Sequence, residues 1–349
     1  TKIVLVKFNT SGFSKILDLR LLIAYGSRGK FFHLKEFSEE LGKQGVKVKL
    51  VKDTDFSTGF PSKKISGWFN GDKKFKELIA DFNPDAVFTD RQTHFALHAI
   101  KSGIPTFVLL RGHYWQEYFW GMKTLGNNLK TRTAIWFRNR IAEEVFEKAT
   151  LVLPICKYLE DVVKEHHPNQ NTGVFLEGIN SERWYHTETM ELRHPCVGLV
   201  QDANWWGKTK EMLILEKVFE KMPNVNFYWV GDGQYRKKIT DRLEKFENFK
   251  WLGRLEYPDK IRKFLETIDV YALITGMDLA PLTLKEAQLM EKPVIATDVG
   301  GDKEMMIDKK TGFLVREGNV DDIISRLTEL LENQEISKNM GNAGAKFIE

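Results

Sequence analysis

The sequence predicts an α/β chain of two Rossmann-like units, each built on a doubly wound parallel sheet, and three observations carry that reading. Short apolar runs suited to buried strands recur along the chain, as at Ile3–Phe8, Ala86–Thr89, Val197–Val200 and Pro293–Ala296, with segments of helical period between them. Around Gly26-Ser-Arg-Gly29, a glycine turn, an amphipathic helix and a strand follow one another, as in the βαβ unit of such sheets. The chain has 349 residues, 42% apolar and 29% charged, enough to bury two full cores.

Taken in order, Ile3–Phe8 is expected as the first strand, with Asn9–Tyr25 as a polar and then apolar connection. The glycine turn leads into a helix with Phe31, Leu34, Phe37 and Leu41 on one face, ended by Gly42 and Gly45. Val46–Val51 is the next strand. The turn lacks the full dinucleotide fingerprint. Strands follow at Ala86–Thr89, Pro105–Leu110 and Leu151–Ile155. Arg111-Gly-His-Tyr-Trp115 comes directly after one of them, and ligands gather beyond the carboxyl ends of such strands, which makes His113 a candidate. Asp53-Thr-Asp55 has the look of a metal-binding acid pair but reads as a turn after a strand. The charged, apolar-poor run Ser181–His194 is the candidate linker. The units are therefore expected over residues 1–192 and 193–349.

In the second half, Val197–Val200 is a strand, and Trp205-Trp-Gly-Lys208-Thr-Lys210 leads to a helix with Met212, Leu215, Phe219 and Met222 on one stripe. Asn226–Val230 is a strand closing on Gly231-Asp-Gly233, where glycines permit close backbone approach to a ligand. Phe249–Gly253 and Asp269–Ile274 are further strands. Then comes Asp278-Leu-Ala-Pro-Leu-Thr-Leu-Lys-Glu286, a loop running into a helix with Leu284, Ala287 and Met290 on one face. The amides of Leu282 and Thr283 fall near the helix start, where N–H groups are unpaired and the dipole favours a phosphate. Glu286 lies about a turn deeper, suited to the two hydroxyls of a ribose. Amides for diphosphate and two carboxylates for ribose and sugar make a nucleotide-sugar site.

Composition excludes several classes. The net charge of +4 is too small to imply nucleic acid, and no base-reading motif is present. Cys156 and Cys196 fit no metal-ligand spacing and suggest a reducing compartment. No apolar run approaches the ~18 residues of a membrane span, and no leader opens the chain, so a cytoplasmic location is expected. From Trp115 to Arg140, aromatic residues mix with Lys123, Lys130, Arg132, Arg138 and Arg140 against the single Glu117. That stretch suits either a core-facing stripe with a solvated basic face, or contact with an anionic lipid surface and a lipid-linked acceptor.

Asp278 with Glu286-Ala287 and Lys292-Pro-Val-Ile-Ala296 resembles the acidic-x7-Glu signature of the family-4 retaining glycosyltransferases with the GT-B fold. The resemblance implies two Rossmann-like domains facing across a cleft, and sugar transfer from a nucleotide-diphospho-sugar to a glycan or lipid-linked acceptor. It implies retention without a metal or other cofactor. It also implies a His near the transferred sugar, here His113, and an acid at Asp278. A first-domain glycine loop, Gly26 and Gly29, would face the donor phosphates, although a plain helix-start turn serves as well. Lys208 or Lys210 would meet diphosphate, Gly231 and Gly233 match the family's Val-Gly-x-Gly, and Gly253 falls in the segment that meets the base. Several positions depart from the pattern. Leu279-Ala-Pro281 replaces Gly-Phe-Gly, Glu291 replaces Gly, Leu199 replaces an Arg, and Glu177-Gly-Ile-Asn180 replaces Asn-Gly-Val-Asp. A last helix that often crosses back onto the first domain is expected to be missing at Glu349. The rivals are a nucleotide-sugar epimerase and a non-catalytic nucleotide-sugar-binding protein.

Overall fold

In a computed structural model the described residues are 19–26, 28–62, 68 and 71–349. The chain forms two compact units, Thr1–Leu176 and Glu177–Glu349. The strand expected at Ile3–Phe8 lies outside the described residues.

The described part of the first unit is a parallel sheet in the order β2-β1-β3-β4-β5. Its strands are β1 (Arg20–Tyr25), β2 (Lys47–Lys52), β3 (Ala86–Thr89), β4 (Thr106–Leu110) and β5 (Leu151–Pro154). The helices are α1 (Arg28–Lys43), α2 (Asp53–Phe56), α3 (Lys73–Phe82), α4 (His94–Lys101), α5 (Tyr114–Thr124), α6 (Leu129–Lys148) and α7 (Lys157–His166). Residues 20–25 correct the expectation of a connection over 9–25. They form a strand paired with β2 on one side and β3 on the other, with Ala24 opposite Val51 and Thr89. A parallel strand buried on both faces shows no alternation, so Leu21–Ala24 reads as a plain apolar run. Leu22, Ala24, Val51, Phe75, Val87 and Phe95 close one core over this sheet.

The second unit is a parallel sheet in the order β11-β10-β9-β6-β7-β8. Its strands are β6 (Cys196–Val200), β7 (Asn226–Val230), β8 (Phe249–Gly253), β9 (Val270–Leu273), β10 (Val294–Thr297) and β11 (Phe313–Val315). Helices α8 (Trp206–Thr209), α9 (Leu215–Lys221), α10 (Arg236–Leu243), α11 (Asp259–Thr267), α12 (Leu282–Leu289), α13 (Val320–Glu332) and α14 (Gln334–Ile348) cover it. The single helix expected through Met212 and Met222 is split, with a 3₁₀ segment, Lys210–Ile214, ahead of α9. Both conformations keep Met212, Leu215, Phe219 and Met222 in the core. Helix α14 packs on α12 and reaches the end of that helix closely, because a Cβ at Gly341 would fall 1.9 Å from the carbonyl of Glu291. Glu291 itself takes the left-handed conformation, φ 55°, which explains why glycine suits that position.

The units divide at Leu176/Glu177, ahead of the 192/193 boundary expected from composition. Residues 181–194 belong with the second unit through polar contacts that a charged, apolar-poor sequence conceals. Arg262 donates to the carbonyl of Arg183 at 2.7 Å, Lys263 meets Glu188 at 2.7 Å, and the Met190 amide donates to Thr267 at 2.7 Å.

Candidate functional site

The second sheet changes direction between β6 and β9: β7 and β8 extend it on one side, β10 and β11 on the other. The crevice at the carboxyl ends of such a strand pair is where open parallel sheets bind ligands. Residues 201–209 leave β6 there, residues 274–281 leave β9, and residues 298–302 leave the neighbouring β10. These loops are tied by backbone bonds, Gly276 N–H to the Lys208 carbonyl at 3.1 Å and Gly301 N–H to the Asp278 carbonyl at 3.2 Å. Gly300, at φ +53°, permits the second approach, since a Cβ there would lie 2.1 Å from the Asp278 oxygen.

Lys208 and Asp278 form an ion pair in this crevice. Burial pulls the Lys208 ammonium toward deprotonation, but the Asp278 charge and hydrogen bond outweigh it, and its pKa is raised. Asp278 also accepts from the Leu279 amide at 3.0 Å. Of the two candidate lysines it is thus Lys208 that pairs with the acid. Lys210 runs alongside, its Cε 3.5 Å from where a Gly276 Cβ would lie. Leu199 lies wholly inside the core, so its position in β6 supplies no cation to this edge.

Helix α12 begins at Leu282 after Pro281, with no side-chain cap and no acidic residue in its first turn. An uncapped helix start of this kind favours an anion. Thr283 accepts from the Tyr271 hydroxyl at 2.8 Å, which anchors the first turn. Glu286, one turn deeper, is 2% exposed. Its Oε1 accepts from the Tyr257 hydroxyl at 3.0 Å, while Oε2 has no hydrogen-bond partner among the described residues. Burial pushes its carboxyl up to about 7, with the Tyr257 bond pulling the other way. The adjacent Lys285 is buried and donates to the Glu177 carbonyl at 2.8 Å, so the Glu177–Asn180 stretch is fastened beneath α12.

Gly231 and Gly233, at φ +153° and +152°, end β7 as expected, but what approaches them is the chain's own loop. A Cβ on Gly231 would fall 2.0 Å from the Gln201 oxygen, and one on Gly233 2.4 Å from that of Ala203. Gly253 ends β8 and accepts from the Gly231 amide at 3.0 Å.

In the first unit, His113 caps α5, its Nδ1 accepting from the Gln116 amide at 3.3 Å. Burial lowers its pKa, so the ring is neutral and Nε2 carries the hydrogen. Gly26 follows β1 and is packed by Arg91, and its amide bonds to the Asp90 carboxylate. Gly29 lies in the first turn of α1. Asp53 corrects the reading of a turn. It starts the one-turn helix α2, is 2% exposed and pairs with Arg91 at 2.6 Å.

Three residues at the second unit's crevice escaped the sequence. Tyr257 holds Glu286. Arg254 follows Gly253 and reaches Asp202 at 3.4 Å, putting a further cation on this edge. Asp302 is fully buried, and neither carboxyl oxygen has a hydrogen-bond partner among the described residues. Burial, reinforced by the Asp278 charge, raises its pKa well above the usual carboxylate range and so favours the protonated form beside the Lys208–Asp278 pair. The only local signal for Asp302 is an acid after Gly300-Gly301.

Comparison with known proteins fits this geometry. Residues 207–347 match the model of the family Glycosyl transferases group 1. An uncharacterized glycosyltransferase of Methanocaldococcus jannaschii is 27% identical over 197 residues, 56% of this chain and 54% of that protein. The chain spans about half or less of the length of the curated relatives it matches. A sucrose-phosphate synthase from Thermosynechococcus elongatus superposes with a TM-score of 0.72 at 14% identity, over 95% of this chain and 94% of that one. Anabaena HepE, solved in complex with UDP-glucose, superposes with a TM-score of 0.70 at 15% identity, over 95% and 94%. The chain therefore has the GT-B fold, two Rossmann-like units, and residues 207–347 of its second unit are similar to the group 1 glycosyltransferases.

Proposed function

We propose that the protein transfers a hexosyl group from a nucleotide-diphospho-sugar to a glycan or lipid-linked acceptor, with retention and without a catalytic metal. The observation that carries this reading is Glu286, a buried carboxylate with one oxygen bonded and the other open, one turn inside an uncapped helix. An unpaired buried charged oxygen costs at least about 1–3 kcal/mol, a cost offset when a ligand hydroxyl completes it. A ribose diol supplies two such hydroxyls, and the α12 amides then face the attached diphosphate. Lys208 meets the negative charge that grows on the leaving diphosphate. As Lys208 turns to phosphate, Asp278 is released to a sugar hydroxyl. The acceptor attacks on the face that diphosphate leaves and gives its proton to the departing phosphate, so no protein nucleophile is required.

Calorimetry with UDP and UDP-glucose in excess EDTA tests the reading. Binding of both, and slow glucose release from UDP-glucose alone, are the expected results. Binding that appears only after manganese or magnesium is added would overturn the metal-free mechanism. The burial of Leu199 favours one second reading, a non-catalytic nucleotide-sugar-binding protein, which would bind the donor and never release glucose.

Helices α5 and α6 support an acceptor at a lipid surface. Trp115 stacks on His166 at 4.1 Å and on Phe146 at 5.1 Å, and Phe137 packs edge-on to Phe60 at 4.6 Å, so those rings are structural. Phe119, Leu125, Leu129 and Trp136 are exposed, as are Lys123, Lys130, Arg132, Arg138 and Arg140. Among the described residues no helix is long and apolar enough to cross a membrane. Each cation near an anionic surface contributes roughly 1 kcal/mol, and aromatic rings settle at headgroup level. Wild-type protein is expected to sediment with anionic vesicles at low salt. Reversing Lys130, Arg132, Arg138 and Arg140 to Glu should abolish this and spare UDP binding. Wild type remaining in the supernatant would assign a soluble acceptor instead.

A further inference from the structure

The roots of β6 and β9 lie at the sheet edge opposite the loops described above. Cys196 is the first residue of β6, His194 precedes it by two positions, and Asp269 stands immediately before β9. Asp269 Oδ2 meets His194 Nδ1 at 2.8 Å and accepts from the Cys196 amide at 2.7 Å, and Cys196 Sγ lies 3.6 Å from His194 Nδ1. The three donor atoms all lie within 4.8 Å of one another. The geometry points to a divalent metal site, zinc by its donor set, formed by His194 Nδ1, Cys196 Sγ and Asp269 Oδ2, with water as fourth ligand.

Bond lengths are the first support. Zinc binds sulfur at about 2.3 Å and nitrogen or oxygen at about 2.0 Å, so tetrahedral angles set S···N near about 3.5 Å and N···O near about 3.3 Å. The S···N separation already has this value, and the N···O pair must open by about half an ångström when metal replaces the hydrogen bond. Donor chemistry is the second support. Mixed sulfur, nitrogen and oxygen ligands suit zinc, where an all-oxygen set would suit calcium or magnesium. Access is the third. The sulfur is buried, but the His194 and Asp269 side chains are 48% and 39% exposed, which leaves a path inward. The Cys196–Asp269 amide bond fixes the carboxylate from outside the ligand set, as metal sites require.

Two features oppose a cation and are met by the surroundings. Lys292 is near, but its ammonium is engaged by the Glu266 carbonyl at 2.7 Å, and burial lowers its pKa. Burial and the Asp269 charge push the Cys196 thiol up to about 12, so the metal-free site holds a protonated thiol. On binding, the metal–sulfur bond forms and that proton leaves to solvent. Glu266 and Glu291 act on the same Lys292 ammonium as Asp269 and Cys196 do, and so bring negative charge to this edge. The metal would pin the stretch before β6 to the root of β9. It lies at the wrong edge of the sheet to meet the donor, so it would stabilise the unit without entering the transfer reaction.

Cobalt and zinc titration of the full chain, prepared without an affinity tag, tests the site. Cobalt should produce the near-ultraviolet band of a thiolate–cobalt bond in wild type and in Cys156→Ala, and none in Cys196→Ser. Zinc should raise the melting temperature of wild type by several degrees and leave that of His194→Ala unmoved. His194 is half exposed, so this variant folds even if Cys196→Ser does not. No thiolate band at saturating cobalt, or a band kept in both Cys196→Ser and His194→Ala, would overturn the site. These readouts need no donor or acceptor, so they stand apart from the transferase reading.

Discussion

Lys208→Met is expected to lower transfer by about 10²–10³-fold, the usual consequence of removing one preorganised charge from a developing anion. The loss should fall mainly on kcat. The ground-state diphosphate keeps the α12 amides, whereas the extra charge that grows as it leaves has lost its partner. Lys208 now stands between two acids, paired with Asp278 and interacting with Asp302. Lys208→Arg should restore part of the rate, since it returns the charge in a different shape. Lys210→Met provides the contrast: Lys208 is the lysine seen paired with Asp278, so a smaller loss is expected from Lys210. Steady-state kinetics with UDP-glucose decide it. A Lys208→Met rate within about threefold of wild type, under 1 kcal/mol of barrier, would remove Lys208 from the mechanism.

How much of this was legible in the sequence depends on distance along the chain. Strands such as Ala86–Thr89 and Asn226–Val230 stand in the structure where apolar runs place them, because both faces of a parallel strand are buried. Arg20–Tyr25 was hidden for a related reason. Its apolar run follows a polar stretch, and nothing local separates a buried strand from an apolar connection. The unit boundary was misjudged because residues 181–194 are held by side-chain and backbone hydrogen bonds, which leave no apolar period. At the site, Asp278 and Glu286 sit in one loop–helix segment, so their spacing alone sets out a site. Tyr257 meets Glu286 across 29 residues of chain, and Lys208 meets Asp278 across 70. His194 and Cys196 find Asp269 only because β6 and β9 pair, which no ligand spacing along the sequence encodes.

Glu286→Gln should move stability and binding in opposite directions, and each should carry its own pH dependence. The carboxyl rises from an ordinary 4.5 to about 7 on folding. Between those values the folded state holds a proton that the unfolded chain has released. The stability of wild type therefore falls as pH rises through that window. Above about 7 the buried carboxylate weighs on the fold by on the order of 3 kcal/mol, since each pH unit across that window contributes about 1.4 kcal/mol. Glutamine keeps the shape and never ionises. Near pH 8 the variant should be more stable by between about 1 and about 3 kcal/mol, part of the gain being lost to its own unpaired amide. Near pH 5 the two should converge. Binding runs the other way. The ionised carboxylate is the form that accepts two ribose hydroxyls, so wild-type affinity should weaken by up to about tenfold per pH unit as pH falls below about 7. UDP-glucose is the proper probe, because its phosphates are both esterified and do not titrate in this range as a terminal phosphate does. The variant should bind about tenfold or more weakly at pH 8, for loss of charge-assisted bonds worth roughly 1.5–3 kcal/mol, and show a flat profile. Denaturant unfolding and calorimetry at the two pH values measure both arms. Equal affinity of wild type and variant at pH 8 would take Glu286 out of the ribose site, while a variant less stable than wild type there would mean that the carboxylate is already compensated in the free protein.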